Sequence, residues 1–242
     1  MALFTLGRYY MNTEYNEVTG EEQRISLSVE EEIMLGVQSA PQMAQQHGGL
    51  DASAQDQQLV DQVGRKIVSE SAASQTAYQY DFHLLADPNT VNAFALPGGQ
   101  VFITRALYTR LQDIDQLAGV LGHEVGHVVA RHSAERISQQ RLAEGLSGAA
   151  AVGMGGNGGG QLAGVVANLM TMSYGREQEL ESDELGVRFM IEAGYQPESL
   201  IGVMDILEAA SGGSRQPEFS STHPSPENRR ERIRESIVKY GG

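Results

Sequence analysis

The amino-acid sequence predicts an α+β fold that is mainly helical and contains one small β-sheet or hairpin. Apolar residues recur at helical spacing along most of the chain, and only the segment from 78 to 104 changes to a period of two. The strands do not alternate regularly with helices, which argues against a doubly wound sheet. At 242 residues, the chain is long enough to bury a substantial core.

The beginning of the chain divides into an arm and a helix. The first 20 residues are polar and aromatic without a clear period, which indicates an extended arm. A helix is predicted from Ser28, because Glu31 follows at the spacing of a capping box and an apolar run comes next. Pro41 and the His-Gly-Gly at 47–49 are expected to break that pattern.

The next segment predicts a helix, a strand and a hairpin. Apolar residues have helical spacing from Asp56 onward. The period then changes to two, which predicts a half-buried strand with one face made by Tyr78, Tyr80, Phe82 and Leu84. In residues 90–104, two apolar runs flank Pro97-Gly98-Gly99, an arrangement typical of a β-hairpin.

From Asp113 to about residue 239 the pattern is almost entirely helical. The glycine-rich stretch at 153–160 interrupts it and lacks the lysine of a nucleotide-binding loop, so we interpret it as a mobile loop. We expect residues 1–50 to form an N-terminal arm and helix that pack on the core, and residues 51–242 to form the main domain.

Composition excludes several kinds of function. The net charge of −14 argues against a nucleic-acid partner, because binding to phosphates needs a basic face. The chain has no cysteine, so any metal must be held by histidines and carboxylates. No stretch reaches the roughly 18–20 apolar residues of a membrane-spanning helix. The first residues lack the usual pattern of a signal peptide, so we expect that the protein is cytoplasmic or that a targeting segment was removed.

The segment LGHEVGHVVARH, residues 121–132, contains the pattern HExxH. His123 and His127 are four residues apart, which places both imidazoles on one face of a helix and suits two ligands of one zinc ion. Glu124 lies beside the first of them and is positioned to act as a general base. The alternative is that these histidines make ordinary hydrogen bonds, but the helix is apolar on most sides and would bury them.

A catalytic zinc site needs a third protein ligand and an open position. His132 follows His127 by five residues, a rotation of about 500° on a helix, so we expect it to support the site from behind or to lie on the surface. Glu179 and Asp183 are four apart on a predicted helix. One carboxylate could therefore bind the metal while the other accepts a hydrogen bond from a ligand imidazole. Spacing alone does not choose between them.

Four segments together resemble the M48 zinc metallopeptidases, the family of the Ste24, HtpX and Oma1 enzymes. The HExxH segment at 121–132 and YGREQELESDELG at 174–186 carry the HExxH and ExxxD signature, and NAFALPGGQVFIT at 92–104 and STHPSPENR at 221–229 follow the family pattern. The resemblance implies a zincin-type peptidase domain over residues 51–242, with a small β-sheet or hairpin beside the HExxH helix.

The resemblance also implies the roles of the central residues. One zinc ion per chain would be held by His123, His127 and Glu179. Glu124 would be the catalytic base, and Asp183 would orient a ligand. Gly175 and Ser182 depart from the residues that the family often has at these positions, and neither is an expected ligand.

Two further segments acquire candidate roles from the resemblance. The edge strand beside the zinc would bind a substrate polypeptide as an added strand, through Asn92, Ala93, Phe94 and Ala95. His223 would be an inhibitory zinc ligand, an oxyanion stabiliser or a turn residue before Pro224. Arg229 would stabilise the oxyanion or pair with an acid near the ligands.

These inferences predict a zinc-dependent endopeptidase that cleaves unfolded or misassembled proteins. Two alternatives remain: a chaperone or assembly factor of the cell envelope whose zinc site is closed or mainly structural, and a non-peptidase zinc hydrolase. In lacking transmembrane helices, the chain is similar to the soluble, periplasmic BepA and lipoprotein-protease branch of the family. This implies a periplasmic or cell-envelope location in a bacterium, with peripheral or lipid-anchored membrane association as an option.

Overall fold

The computed structural model describes residues 13–147, 168–169, 172–211, 218–224 and 226–241. The strands are β1 (Thr13–Tyr15), β2 (Glu22–Arg24), β3 (Asp81–Leu85), β4 (Ala93–Ala95) and β5 (Gln100–Thr104). The helices are α1 (Val29–Gln46), α2 (Ala54–Ser69), α3 (Arg105–Tyr108), α4 (Ile114–Val129), α5 (His132–Ser147), α6 (Arg176–Glu192), α7 (Ser199–Ser211), α8 (Glu218–Thr222) and α9 (Arg229–Gly241). The prediction of a mainly helical α+β fold is confirmed. The glycine-rich stretch at 153–160 lies outside the described residues.

Helix α1 begins as predicted and ends later than predicted. The Ser28 hydroxyl accepts a hydrogen bond from the Glu31 backbone N–H at 3.2 Å, and the Glu31 carboxylate accepts one from the Ser28 N–H at 2.9 Å. The expected break at Pro41 is wrong, because the helix continues to Gln46. Pro41 lies on the exposed side of the helix, where water can satisfy the carbonyl that loses its partner. Gly48, with φ of +80°, follows the true end.

The three-stranded sheet has the order β3-β5-β4. β3 is parallel to β5, with Phe82 opposite Val101, and β4 is antiparallel to β5, with Phe94 opposite Phe102. The predicted hairpin of β4 and β5 is therefore confirmed. The predicted strand begins only at Asp81, so the alternating tyrosines before it lie outside β3. β4 is an edge of this sheet and packs against α4.

Helix α4 is the centre of the core, and α6 lies very close to it. All but its first two residues are buried. A Cβ atom on Gly126 would lie 2.9 Å from the Ser182 carbonyl oxygen, and one on Gly186 would lie 3.0 Å from the His123 nitrogen. Small residues therefore allow the two backbones to approach, and this contact brings the HExxH and ExxxD segments together.

The C-terminal end of α4 is held by residues from the start of the chain. The Asn16 amide donates to the Val129 carbonyl at 2.7 Å, and the Gln23 amide donates to the Ala130 carbonyl. Arg131 has a left-handed backbone with φ of +56°, and its Nε donates to Glu32 Oε1 at 2.9 Å. The chain thus turns sharply after α4.

Within the described ranges, none of the helices combines the length and apolar character that crossing a membrane requires.

Candidate metal centre

Four buried side chains converge between α4, α6 and the residue that follows α8. His123 and His127 extend from α4 and Glu179 from the first turn of α6, while His223 directly follows α8. One donor atom from each lies within 4.8 Å of the others, and none of the four residues is more than 2% exposed. The structure therefore assembles the three expected ligands and adds His223 to them.

The separations between the donor atoms fit a tetrahedral metal. The Nε2 atoms of His123 and His127 are 3.1 Å apart. His123 Nε2 lies 3.5 Å from Glu179 Oε2, and His127 Nε2 lies 3.4 Å from Glu179 Oε1. His223 Nδ1 is 3.1 Å from Glu179 Oε1 and 3.4 Å from His123 Nε2. A tetrahedron with zinc–ligand bonds of about 2.0–2.1 Å has edges of about 3.3–3.4 Å, so the side chains fit this ion.

Buried polar atoms without hydrogen-bond partners lie at the same place. Both carboxylate oxygens of Glu124, Oε2 of Glu179 and Nε2 of His223 have none within the described part of the chain. Burying such groups without partners is costly. A metal ion with a water or substrate would satisfy them, so these atoms agree with the donor geometry.

Asp183 and Arg229 lie directly behind His123. The His123 Nδ1–H donates to Asp183 Oδ1 at 2.9 Å, which leaves the Nε2 lone pair directed at the cluster. Arg229 donates from Nε to Asp183 Oδ2 at 2.6 Å and is itself only 3% exposed. Of the two roles considered for Arg229, the structure shows the pairing with the acid near the ligands.

Charge coupling within the cluster is strong. Burial lowers the pKa of His123, but hydrogen bonds to Asp183 and Glu179 outweigh it and raise the pKa to about 9. Burial acts to raise the pKa of Glu179, yet His223, His123 and His127 hold it well below the usual value. Burial also raises the pKa of Glu124, which makes its carboxylate a better proton acceptor.

Glu124 faces the cluster across from Glu179. Its Oε1 lies 3.7 Å from His223 Nε2, and its side chain is fully buried. The helix places Glu124 next to His123, and neither oxygen of its carboxylate has a hydrogen-bond partner among the described residues. The arrangement is suited to proton transfer at a group held by the metal.

The edge strand and a cleft lie beside the donors. The cleft is lined by Asn92, Phe94 and Ala95 together with His223 and Leu169. The Asn92 side chain is 1% exposed, and its Nδ2 donates to Glu218 Oε1 at 3.1 Å, whereas its Oδ1 has no partner among the described residues. Ala93, which completes the predicted set, is buried in β4.

The expectation for His132 rested on a continuous helix, and this assumption is wrong. Because α4 ends at Val129 and the chain turns at Arg131, the 100° rotation per residue does not extend to His132. His132 is instead buried behind His127, with its Nδ1 2.8 Å from the His127 Nδ1. This location behind His127 agrees with the first of the two options considered.

Two aromatic residues near the donors were not anticipated. The Tyr174 ring stacks on His127 with centroids 3.9 Å apart, and the Phe219 ring stacks on His223 at 4.3 Å. Both rings restrict the orientation of an imidazole. Tyr174 opens the conspicuous segment 174–186, but nothing in the local pattern distinguishes it from a core residue.

Comparison with known proteins agrees with this arrangement. The sequence pattern of peptidase family M48 matches residues 54–237. This chain belongs to the M48 family. The predicted membership of this metallopeptidase family is thereby confirmed, and the cluster of three histidines and one glutamate could bind the metal on which such peptidases depend.

Several M48 relatives match much of the chain. The mitochondrial metalloendopeptidase OMA1 of Schizosaccharomyces pombe is 29% identical over 231 residues, which cover 94% of this chain and 67% of the relative. The beta-barrel assembly-enhancing protease of Escherichia coli is 30% identical over 182 residues, 71% of this chain and 37% of the relative. The chain therefore spans only part of the length of these proteins.

Proposed function

We propose that this chain is a zinc-dependent endopeptidase acting on unfolded or misassembled polypeptides. The observation that carries the proposal is the tetrahedral spacing of four buried donors beside Glu124, a buried carboxylate without partners. A purely structural zinc site would have no use for such a carboxylate, whereas a hydrolytic site requires it.

One zinc ion per chain would be held by His123, His127 and Glu179. When bound, zinc supplies a Lewis acid that lowers the pKa of water and polarises a carbonyl group. The chemistry of the donors favours this ion, since imidazole nitrogens and a carboxylate in tetrahedral arrangement are typical of catalytic zinc.

Glu124 would remove a proton from the attacking water and transfer it to the leaving amine. Its raised pKa in the buried site suits both steps, because the group must accept a proton and then release it. Asp183 and Arg229 would hold His123 in the tautomer that directs Nε2 at the metal.

The substrate would be bound along β4, through Asn92 and residues 93–95. β4 is an edge of its sheet, and the cleft beside the donors is lined by Asn92, whose Oδ1 has no partner among the described residues. An added strand is held mainly by backbone hydrogen bonds, so selection would favour extended chains over particular side chains. A non-peptidase zinc hydrolase would need no such strand.

The decisive experiment replaces Glu124 by glutamine. We expect Glu124→Gln to retain zinc but to lose cleavage of an unfolded protein such as casein by about 10²–10⁴-fold, the usual contribution of a general base. Glu177→Gln, an exposed glutamate on α6, is the matched control and should leave cleavage unchanged. Chelation should abolish cleavage by the wild type and zinc should restore it. Full activity of Glu124→Gln would refute the mechanism.

The alternative of an assembly factor with a mainly structural zinc site is not favoured, because the relatives are named as proteases. A closed site would instead be the resting state of the protease. His223 occupies a donor position, and Leu169 packs on the cluster that contains Phe94 of the edge strand. Opening would then precede cleavage.

A periplasmic or cell-envelope location, with peripheral or lipid-anchored association, and a role in protein quality control also belong to the proposal. The relatedness to a beta-barrel assembly-enhancing protease supports the envelope, whereas the relatives named mitochondrial point to an organelle. The division into an arm at 1–50 and a domain at 51–242 is proposed as well, supported by the family match beginning at residue 54.

A further inference from the structure

A chain of hydrogen bonds extends from His127 away from the metal centre. The His127 Nδ1 is 2.8 Å from the His132 Nδ1, and the His132 Nε2 is 3.1 Å from Glu181 Oε2. His132 is 1% exposed, so its contact with His127 is shielded from water, whereas the Glu181 side chain is 27% exposed. His132 thus links a predicted metal ligand to a carboxylate, with one ring nitrogen facing each of them.

The carboxylate at the end of this chain determines where the protons lie. The Glu181 carboxylate is an acceptor, so the His132 Nε2 carries its proton and donates to it. In the tautomer of His132 that donates from Nε2 to Glu181, Nδ1 has a lone pair, which accepts the Nδ1–H of His127. His127 consequently presents the lone pair of Nε2 to the other donors. The reverse arrangement would place a proton on this nitrogen and block metal binding.

The two ligand histidines are therefore supported differently. The Nδ1 of His123 donates directly to Asp183, whereas the Nδ1 of His127 is linked to the Glu181 carboxylate through the imidazole of His132. Ser182 Oγ also approaches the His132 Nδ1, but at 3.4 Å it is the longer contact. A buried histidine without a role at a metal centre would need only some hydrogen-bond partner for each ring nitrogen. Here the partners are a metal ligand on one side and a partly exposed carboxylate on the other.

The turn after α4 makes this placement feasible. A residue five positions after His127 on a continuous helix would lie on another side of it. The left-handed Arg131 ends the helix and returns His132 to the ligand, and Glu32 holds the Arg131 guanidinium. A non-glycine residue in this conformation carries strain that the surrounding contacts must offset.

We propose that His132, oriented by Glu181, is a positioning residue that fixes the tautomer and ring orientation of His127 for the metal. The inference rests on the proposed zinc centre. It adds a second supporting pair to that of Asp183 and Arg229, on the opposite ligand.

The test compares two substitutions of His132 by their zinc affinity, measured by competition with a chelator in the folded metal-free protein. His132→Phe preserves the ring volume and removes the acceptor, and we expect it to weaken zinc binding by about 10–100-fold, as loss of such a partner typically does. His132→Asn retains an acceptor oxygen near the position of Nδ1 and should stay within a few-fold of the wild type. The absorption spectrum of the cobalt-substituted protein should change in the first variant only.

Substitutions on α6 provide an independent comparison. Glu181→Leu removes the carboxylate that orients His132 and should weaken zinc binding, although less than His132→Phe does. Glu177→Leu alters an exposed glutamate on the same helix and should have no effect. If His132→Phe fails to fold, Glu181→Leu and its control carry the test.

The outcomes separate this inference from the proposed function. Wild-type zinc affinity and an unchanged cobalt spectrum in His132→Phe would overturn the positioning role, as would equal weakening in His132→Phe and His132→Asn, which would indicate packing alone. A wild-type protein that neither binds zinc nor cleaves unfolded chains would instead refute the zinc endopeptidase.

Discussion

His223 determines whether the four-donor cluster has an open position. Its Nδ1 lies 3.1 Å from Glu179 Oε1, close to the separation expected for neighbouring ligands, and its ring is fixed by stacking on Phe219. The turn-residue interpretation is compatible with its location before Pro224 but does not explain why the side chain is buried among ligands. The geometry favours a fourth ligand.

We expect His223→Ala to increase cleavage of an unfolded protein and to weaken zinc binding by about tenfold or more, the equivalent of roughly 1.4 kcal/mol. The reason is that removal of a fourth ligand opens a position for water and substrate. Initial rates and chelator competition measure the two effects. Ser221→Ala, an exposed neighbour, is the control. Unchanged zinc affinity with slower turnover would instead assign His223 to the oxyanion.

At the scale of secondary-structure elements, the contact between α4 and α6 determines where the donors of the metal centre lie. Gly126 has no room for a side chain, because a Cβ would lie 2.9 Å from the backbone oxygen of Ser182. Successive turns of α6 carry Glu179 and Asp183, so a displacement of this helix moves a predicted ligand and a supporting carboxylate together. The close approach is thus a requirement of the metal centre as well as of the core.

Gly126→Ala should therefore destabilise the protein by about 1–3 kcal/mol, the usual cost of overpacking a core. It should also weaken zinc binding, because α6 must move away from α4. Urea unfolding and chelator competition measure these changes. Gly241→Ala is a matched control near the end of α9, where the added Cβ would meet an ordinary contact at 3.8 Å. Equal stability of the two variants would contradict the close approach.

Local sequence patterns predict which helices and strands form better than they predict where these elements end and how the strands pair. The capping box at Ser28 depends on neighbouring residues only, and it was predicted correctly. Pro41 was misjudged because tolerance of a proline depends on which face meets solvent. The parallel pairing of β3 with β5 joins strands that are not consecutive in the chain, so no local pattern indicated it.

The same distinction applies to the metal centre. Helical spacing brings His123 and His127 together without reference to the remainder of the chain, and the structure places their Nε2 atoms 3.1 Å apart. Spacing did not choose between Glu179 and Asp183, and the family resemblance supplied the choice; the packing of α6 on α4 places the Glu179 carboxylate 3.5 and 3.4 Å from the Nε2 atoms of His123 and His127. The position of His132 required knowledge of where α4 ends.

On the scale of the whole molecule, Arg131 connects the start of the chain to the metal centre. It is 8% exposed, and its partner Glu32 on α1 is 1% exposed. Burial raises the pKa of Glu32 and the Arg131 guanidinium lowers it. Burial is the larger effect, so the pKa is raised to about 7. A buried carboxyl in this balance depends strongly on its partner.

We expect Arg131→Met to destabilise the protein by about 3–5 kcal/mol, because it leaves Glu32 buried without its ion pair. The double variant Arg131→Met with Glu32→Leu should recover much of this loss, since no uncompensated charge remains. The free energy of unfolding in urea measures each step. Arg232→Met, which breaks the exposed pair with Glu235, should cost less than about 1 kcal/mol. Similar losses for both single variants would contradict the coupling.

The contacts that terminate α4 also bear on the order in which the protein is made. Asn16 reaches Val129, and Gln23 reaches Ala130, across 113 and 107 residues of chain. On a ribosome, these amides emerge long before the carbonyls that they cap. Contacts of such wide sequence separation form late in folding, because a long loop must first close. A chain being synthesised would therefore carry α4 without these two caps until residues 129 and 130 have emerged, and the end of the helix would be fixed only then.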